Sequence, residues 1–198
     1  MHALCRDLAA CGWAAWNLEY RRLGFLAGGG WPRTFEDVAA GIDHLAALPA
    51  LDLGTVAAIG HSAGGHLALW AASRERPRVP VTRAVSQAGV LDLGEAARLG
   101  LSNGAAAKLL GGRPHQRPER YGAASPIERL PLGVPQLLVH GEEDGIVPVS
   151  MSLRYHDAAL AAGDPAELVV LPATGHFEHL DPRSDAWAAV REWLPASP

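Results

Sequence analysis

Lysine is nearly absent from this chain: of 17 basic residues, only Lys108 is lysine. No cluster of positive charge forms and the net charge is -4, so there is no electrostatic footprint for nucleic acid or an anionic membrane surface. Arginine in place of lysine, with abundant Ala, Gly and Pro, reads as the codon bias of a GC-rich bacterial genome. Cysteine is equally scarce. The two present, Cys5 and Cys11, lie six positions apart in a helix-like stretch, which turns them about 240° from one another and forbids a mutual disulfide. Reduced, mostly buried thiols are expected. No apolar run reaches the roughly 18 residues a membrane helix needs. Leu8-Ala9-Ala10-Cys11 has the outline of a lipoprotein cleavage box, but the stretch before it is too short and Asp7 interrupts it. These absences make a cytoplasmic protein with no membrane partner the expectation. Gly28-Gly29-Gly30 lacks the Lys-Ser/Thr of a phosphate-binding P-loop and the helix-opening G-x-G-x-x-G pattern, so it reads as a flexible loop. Neither a cofactor nor a metal is expected.

What is present is an ordinary globular composition, 48% hydrophobic and 19% charged, over a length that holds one substantial core. A single domain spanning residues 1–198 is expected. Strand-like and helix-like runs alternate, the pattern of a parallel sheet covered on both faces. Leu4, Leu8 and Cys11 form a helical stripe that Gly12 ends, and Trp13 to Leu18 reads as a strand. Thr34 reads as the cap of a helix with Asp37 at its third position, inner face Val38, Ile42 and Leu45, stopped by Pro49. Thr55 to Ile59, Val81 to Ser86, Gln136 to Val139 and Leu168 to Leu171 are further strand runs. His66 to Ser73 and Ser150 to Gly163 read as helices, and Asp181-Pro182 reads as the start of a last helix carrying Trp187, Val190 and Leu194 on one face. About five strands and six main helices result. Between about residues 91 and 132 the periodicity fails amid Gly111, Gly112, Pro114, Pro118, Pro126 and Pro131, which reads as a short irregular insertion over the strand ends.

Chemistry concentrates in Gly60-His61-Ser62-Ala63-Gly64-Gly65, set between the Thr55 strand and the His66 helix. With 22 glycines, a G-x-S-x-G spacing arises by chance in roughly one such chain in ten, so the context decides. A strand leading in and a helix leading out make it a nucleophile elbow, in which residues 60 and 64 must be small and the N–H of Ala63 can face a developing oxyanion. After the Gln136 strand comes His140-Gly141-Glu142-Glu143-Asp144-Gly145-Ile146-Val147-Pro148, a loop offering a carboxylate. After the Leu168 strand comes Pro172-Ala173-Thr174-Gly175-His176-Phe177, a loop offering an imidazole. His179 competes with His176 for the base, and Glu142 or Glu143 with Asp144 for the acid. His61 and His66 read as shaping the elbow, and His2, His44, His115 and His156 as solvated surface residues.

These segments resemble the α/β-hydrolase superfamily, specifically its serine esterases and peptidases. Trp16-Asn17-Leu18-Glu19-Tyr20-Arg21-Arg22, Gly29-Gly30-Trp31-Pro32 and Asp37 are similar to bacterial esterases near the kynurenine formamidase, feruloyl/acetylxylan esterase and prolyl-oligopeptidase groups. The resemblance covers nearly the whole chain and implies a mostly parallel sheet with helices on both faces. It also implies a catalytic set of Ser62, Asp144 and His176 with Ala63 as an oxyanion donor. Asp92, after the Val81 strand, stands at an alternative location of the acid in the superfamily. A small ester or amide substrate is implied, with esterase, arylformamidase and peptidase all left open.

Members of the superfamily carry an upstream strand ending in a His-Gly-Gly loop that supplies a second oxyanion donor. No such segment precedes Ala3, so an N-terminally truncated form of the fold is expected, with Met1 an internal methionine of a longer protein or the gene shortened. The expectation that follows is weak esterase activity, or at the extreme a catalytically impaired remnant with a binding or structural role.

Overall fold

The computed structural model describes residues 1–24 and 26–195. In chain order its elements are α1 (His2–Ala10), α2 (Arg33–Asp43), β1 (Ala57–His61), α3 (Ala63–Ala72), β2 (Arg83–Gln87), α4 (Leu93–Arg98), α5 (Leu101–Leu110), α6 (Pro118–Ala124), β3 (Gln136–Gly141), α7 (Ser150–Ala161), β4 (Ala166–Leu171) and α8 (Asp185–Trp193). The four strands run parallel in the order β1-β2-β3-β4. Each step to the next strand needs a crossover, and α3, then α4 to α6, then α7 supply them. Segment 91–132 thus holds three helices and a short 3-10 turn at Pro126–Arg129.

Alternation along the strands divides the core into two layers. Ala84 and Leu138 face one layer with Phe35, Val38, Leu67, Leu69, Met151 and Tyr155, which come from α2, α3 and α7. Val85, Leu137 and Val139 face the other, where Trp187 and Val190 of α8 and Leu4 of α1 cover the sheet. Trp187 is fully buried, and its indole N–H donates to the Asp7 carboxylate at 2.6 Å, fastening α8 to α1.

Three local expectations are corrected. Trp13 to Leu18 joins no ladder, so the described sheet has four strands. The segment is held against α2 instead: the Trp16 indole donates to the Gly41 carbonyl at 3.1 Å and stacks on His44, while Arg21 pairs with Asp37 at 2.6 Å. An apolar cavity of about 650 Å³, lined by Leu4, Trp13, Leu18, Ile59 and Trp187 among others, borders the outer side of β1. Thr34 does not cap α2, whose first residue is Arg33; its hydroxyl accepts from the Gly30 N–H and donates to the Arg21 carbonyl, and Asp37 is committed to Arg21. The last helix begins after Ser184, whose hydroxyl accepts from the Trp187 N–H, because Asp181 is occupied in a turn with Arg183.

Among the described residues no helix is long and apolar enough to cross a membrane. No cluster of three or more His, Cys, Asp or Glu side chains suited to a metal ion occurs among them.

Candidate active site

β1 ends at His61 and α3 begins at Ala63, leaving Ser62 alone to turn the chain. Its backbone sits at φ 55° and ψ -117°, a conformation that costs a non-glycine residue about 1–3 kcal/mol and persists only when the surroundings enforce it. The enforcement is visible: the Ser62 N–H donates to the Gln87 carbonyl of β2 at 2.8 Å, and the His66 N–H returns to the Ser62 carbonyl at 3.1 Å. Close approach explains Gly60, since a Cβ there would run into the Gly64 carbonyl. Gly64 differs from the expectation, because a Cβ at that position would meet open space. What the turn requires is the backbone of residue 64, not the smallness of its side chain. Ala63 opens α3 and is exposed, and Ser62 is half-buried.

Asp144 and His176 come from the loops after β3 and β4, and they meet. His176 Nδ1 lies 2.7 Å from Asp144 Oδ2. The backbone N–H groups of Ile146 and Val147 donate to the other carboxylate oxygen, at 2.8 and 2.9 Å. Burial alone would raise the Asp144 pKa, but these bonds outweigh it and hold the carboxyl below its ordinary value. The two loops approach so closely that a Cβ on Gly141 would collide with the Thr174 carbonyl. The Glu142 and Glu143 N–H groups donate to Leu171 and Thr174 carbonyls at 2.9 and 3.0 Å, while both residues are exposed. Asp92 is engaged elsewhere, accepting from the Glu95 N–H at 2.8 Å as the cap of α4.

His140 was not singled out from the sequence, although it stands in the same motif as Asp144. It is fully buried on β3. Its Nε2 lies 2.9 Å from the Val147 carbonyl and 3.3 Å from Asp144 Oδ2, and its Nδ1 lies 2.7 Å from the Ser152 hydroxyl. A carbonyl can only accept, so Nε2 carries the proton and Nδ1 accepts from Ser152. His140 thereby buttresses the acid loop from below. The signal that could have found it is a histidine directly following the apolar residues Leu137 to Val139 and so continuing a buried strand run.

The competing histidines take other positions. His179 is fully buried in a short 3-10 turn, and burial pulls its pKa down to about 4. His66, buried on α3, donates through Nε2 to the Ala124 carbonyl at 2.8 Å, tying the elbow helix to α6. Burial outweighs that bond and lowers its pKa to about 4. An unfolded histidine takes a proton near pH 6.5, whereas folded His66 stays neutral until about pH 4. Its contribution to stability is therefore full above pH 6.5, is lost as pH falls from 6.5 to 4, and changes no further below. That contribution amounts to about 3 kcal/mol. Urea unfolding of His66→Gln should show a pH 7 to pH 4 loss smaller than that of the unsubstituted chain by about this amount; parallel pH profiles would contradict it.

The sequence profile of the prolyl oligopeptidase family matches residues 31–194. Among solved structures, the acetyl ester-xyloside bifunctional hydrolase from Caldicellulosiruptor lactoaceticus superposes with a TM-score of 0.76 at 24% identity, covering 96% of this chain and 73% of that one. The Pyrococcus horikoshii acylaminoacyl peptidase gives a TM-score of 0.65 at 21% identity over 80% of this chain and 26% of its own. At these identities the likeness shows the fold, that of the α/β-hydrolases. In sequence, a putative carboxymethylenebutenolidase of Methylorubrum extorquens is 32% identical over 71 residues, which are 32% of this chain and 24% of that protein. The chain thus spans about a quarter of the peptidase and of this sequence relative. With 31–194 matched and the strand-turn-helix elbow in place, the chain belongs to the prolyl oligopeptidase family.

Proposed function

We propose that the chain is a serine hydrolase that cleaves a small ester or amide through an acyl-enzyme on Ser62, with His176 as general base, Asp144 orienting it and Ala63 as oxyanion donor. The observation that carries this reading is the 2.7 Å contact between His176 Nδ1 and Asp144 Oδ2. A carboxylate accepts only, so Nδ1 holds the proton and Nε2 is left bare, the form in which an imidazole takes a proton. The contact needs no metal or cofactor to do so.

In the reaction, Nε2 removes the hydroxyl proton as Ser62 Oγ bonds to the substrate carbonyl carbon, and the carbonyl oxygen becomes an oxyanion facing the Ala63 N–H. Collapse of the adduct breaks the bond to the alcohol or amine, which leaves with the proton from His176. Water then attacks the acyl carbon, again giving its proton to Nε2, and Ser62 departs with that proton as the acid is released. Asp144 offsets the charge that His176 carries between the two transfers. Residues 1–198 act as one domain, and α4 to α6 shape the pocket for the acyl or leaving group. The names of the similar structures include an acetyl ester-xyloside bifunctional hydrolase and an acylaminoacyl peptidase, so both ester and amide substrates stay within the reading.

Treatment with a fluorophosphonate, followed by peptide mass spectrometry, tests it. The adduct is expected on Ser62 and to disappear after prior heat denaturation. An adduct confined to another residue would overturn the assignment.

A further inference from the structure

With His176 read as the base, we infer that His61 is a positioning residue that fastens the base loop to the strand carrying the nucleophile. Ser62 follows β1 and His176 follows β4, the two outer strands of the described sheet. Three inter-strand steps of about 4.8 Å separate them, roughly 14 Å in all, so the loop after β4 must be laid across the ends of β3 and β2 to reach Ser62.

Each strand end contributes a hydrogen bond to that loop. Beyond β3 the Glu143 N–H donates to the Thr174 carbonyl at 3.0 Å. From the last residue of β2, the Gln87 amide donates to the His179 carbonyl at 3.2 Å. From the last residue of β1, His61 Nε2 reaches the backbone carbonyl of His176 itself, at 2.7 Å. This third bond is the shortest, and it joins the residue before the nucleophile to the residue that bears the base. The His61 and His176 rings also pack with centroids 4.6 Å apart, and Phe177 closes over them, 5.2 Å from His176 and 6.2 Å from His61.

The chemistry of the bond assigns the tautomer. The acceptor is a carbonyl, so Nε2 of His61 carries the proton. Its Nε2 is therefore not available as a second base, and its work is geometric: it sets how far the His176 ring stands from Ser62. A misplacement of about 1 Å at such a site costs on the order of 10²-fold in rate.

His61→Leu removes the donor and keeps bulk, whereas His61→Gln keeps an amide N–H at the same number of bonds from Cα. With p-nitrophenyl acetate, His61→Leu should lower kcat by about 10- to 100-fold with KM changed by no more than about twofold, and slow fluorophosphonate labelling of Ser62 by a similar factor. His61→Gln should recover most of both. Wild-type kcat in His61→Leu, or no recovery in His61→Gln, overturns the inference. Should His61→Leu fail to fold, ¹⁵N-histidine spectra of the unsubstituted protein decide: His61 protonated at Nε2 and bare at Nδ1 supports it, and the opposite tautomer overturns it. Absence of any Ser62 labelling in the unsubstituted protein would instead refute the serine-hydrolase reading, and the His61 spectrum would still report on the bond.

Discussion

Replacing Ser62 by alanine is expected to lower kcat for a p-nitrophenyl ester by about 10⁶-fold, because in the proposed mechanism the Ser62 hydroxyl forms the acyl-enzyme and residues that act as a unit with the nucleophile contribute little without it. What survives would be the residual rate supplied by oxyanion stabilisation and substrate binding, about 10³ to 10⁴ above water at most. The backbone adds a second readout. At φ 55° and ψ -117°, alanine is as strained as serine, so Ser62→Ala should unfold at nearly the temperature of the unsubstituted chain. Glycine reaches positive φ without that penalty, so Ser62→Gly should be equally inactive yet more stable by about 1 kcal/mol. Turnover retained in either variant, measured against a mock preparation, would remove Ser62 from the mechanism.

Asp144→Asn should reduce kcat by about 10⁴-fold while leaving the fold intact. The carboxylate now accepts from His176 Nδ1 and from the N–H groups of Ile146 and Val147. An amide in its place can turn an NH₂ group toward the ring, which stabilises the tautomer with Nε2 protonated and so removes the base. Asp92→Asn is the matched control. Its oxygen caps α4 through the Glu95 N–H, and asparagine caps nearly as well, so turnover should be unchanged and stability altered by no more than a few tenths of a kcal/mol. A large loss in Asp92→Asn with activity kept in Asp144→Asn would reverse the assignment of the acid.

Elements legible in the sequence are those whose signals are local. The run Thr55 to Ile59, the small residues around Ser62 and the helix-forming stretch after it specify a strand, a turn and a helix within twenty residues, and β1 and α3 flank Ser62 accordingly. The runs ahead of Asp144 and His176 likewise lie in β3 and β4. Errors arose where a residue had a competing distant partner. Thr34 and Asp37 carry a capping pattern, but Arg21, thirteen and sixteen positions earlier in the chain, takes both for bonds to the segment before α2. Trp13 to Leu18 reads as a strand run, yet the segment pairs with no strand, and its Trp16 indole and Leu18 side chain dock on α2 at Gly41.

By itself, then, the order of residues determined the parallel α/β alternation and placed one serine, one acid loop and one histidine loop each just past a strand, because periodicity and turn chemistry act over a few residues. Only the tertiary structure decided that Asp144 rather than Asp92 meets His176, that His140 lies against Asp144, and that His61 reaches the His176 carbonyl. Those contacts join residues from four to over a hundred positions apart, across strand ends whose neighbours are fixed by the sheet order β1-β2-β3-β4. Hydrogen bonds depend on where donors and acceptors arrive in space, and that is set by the packing of both core layers against the sheet together.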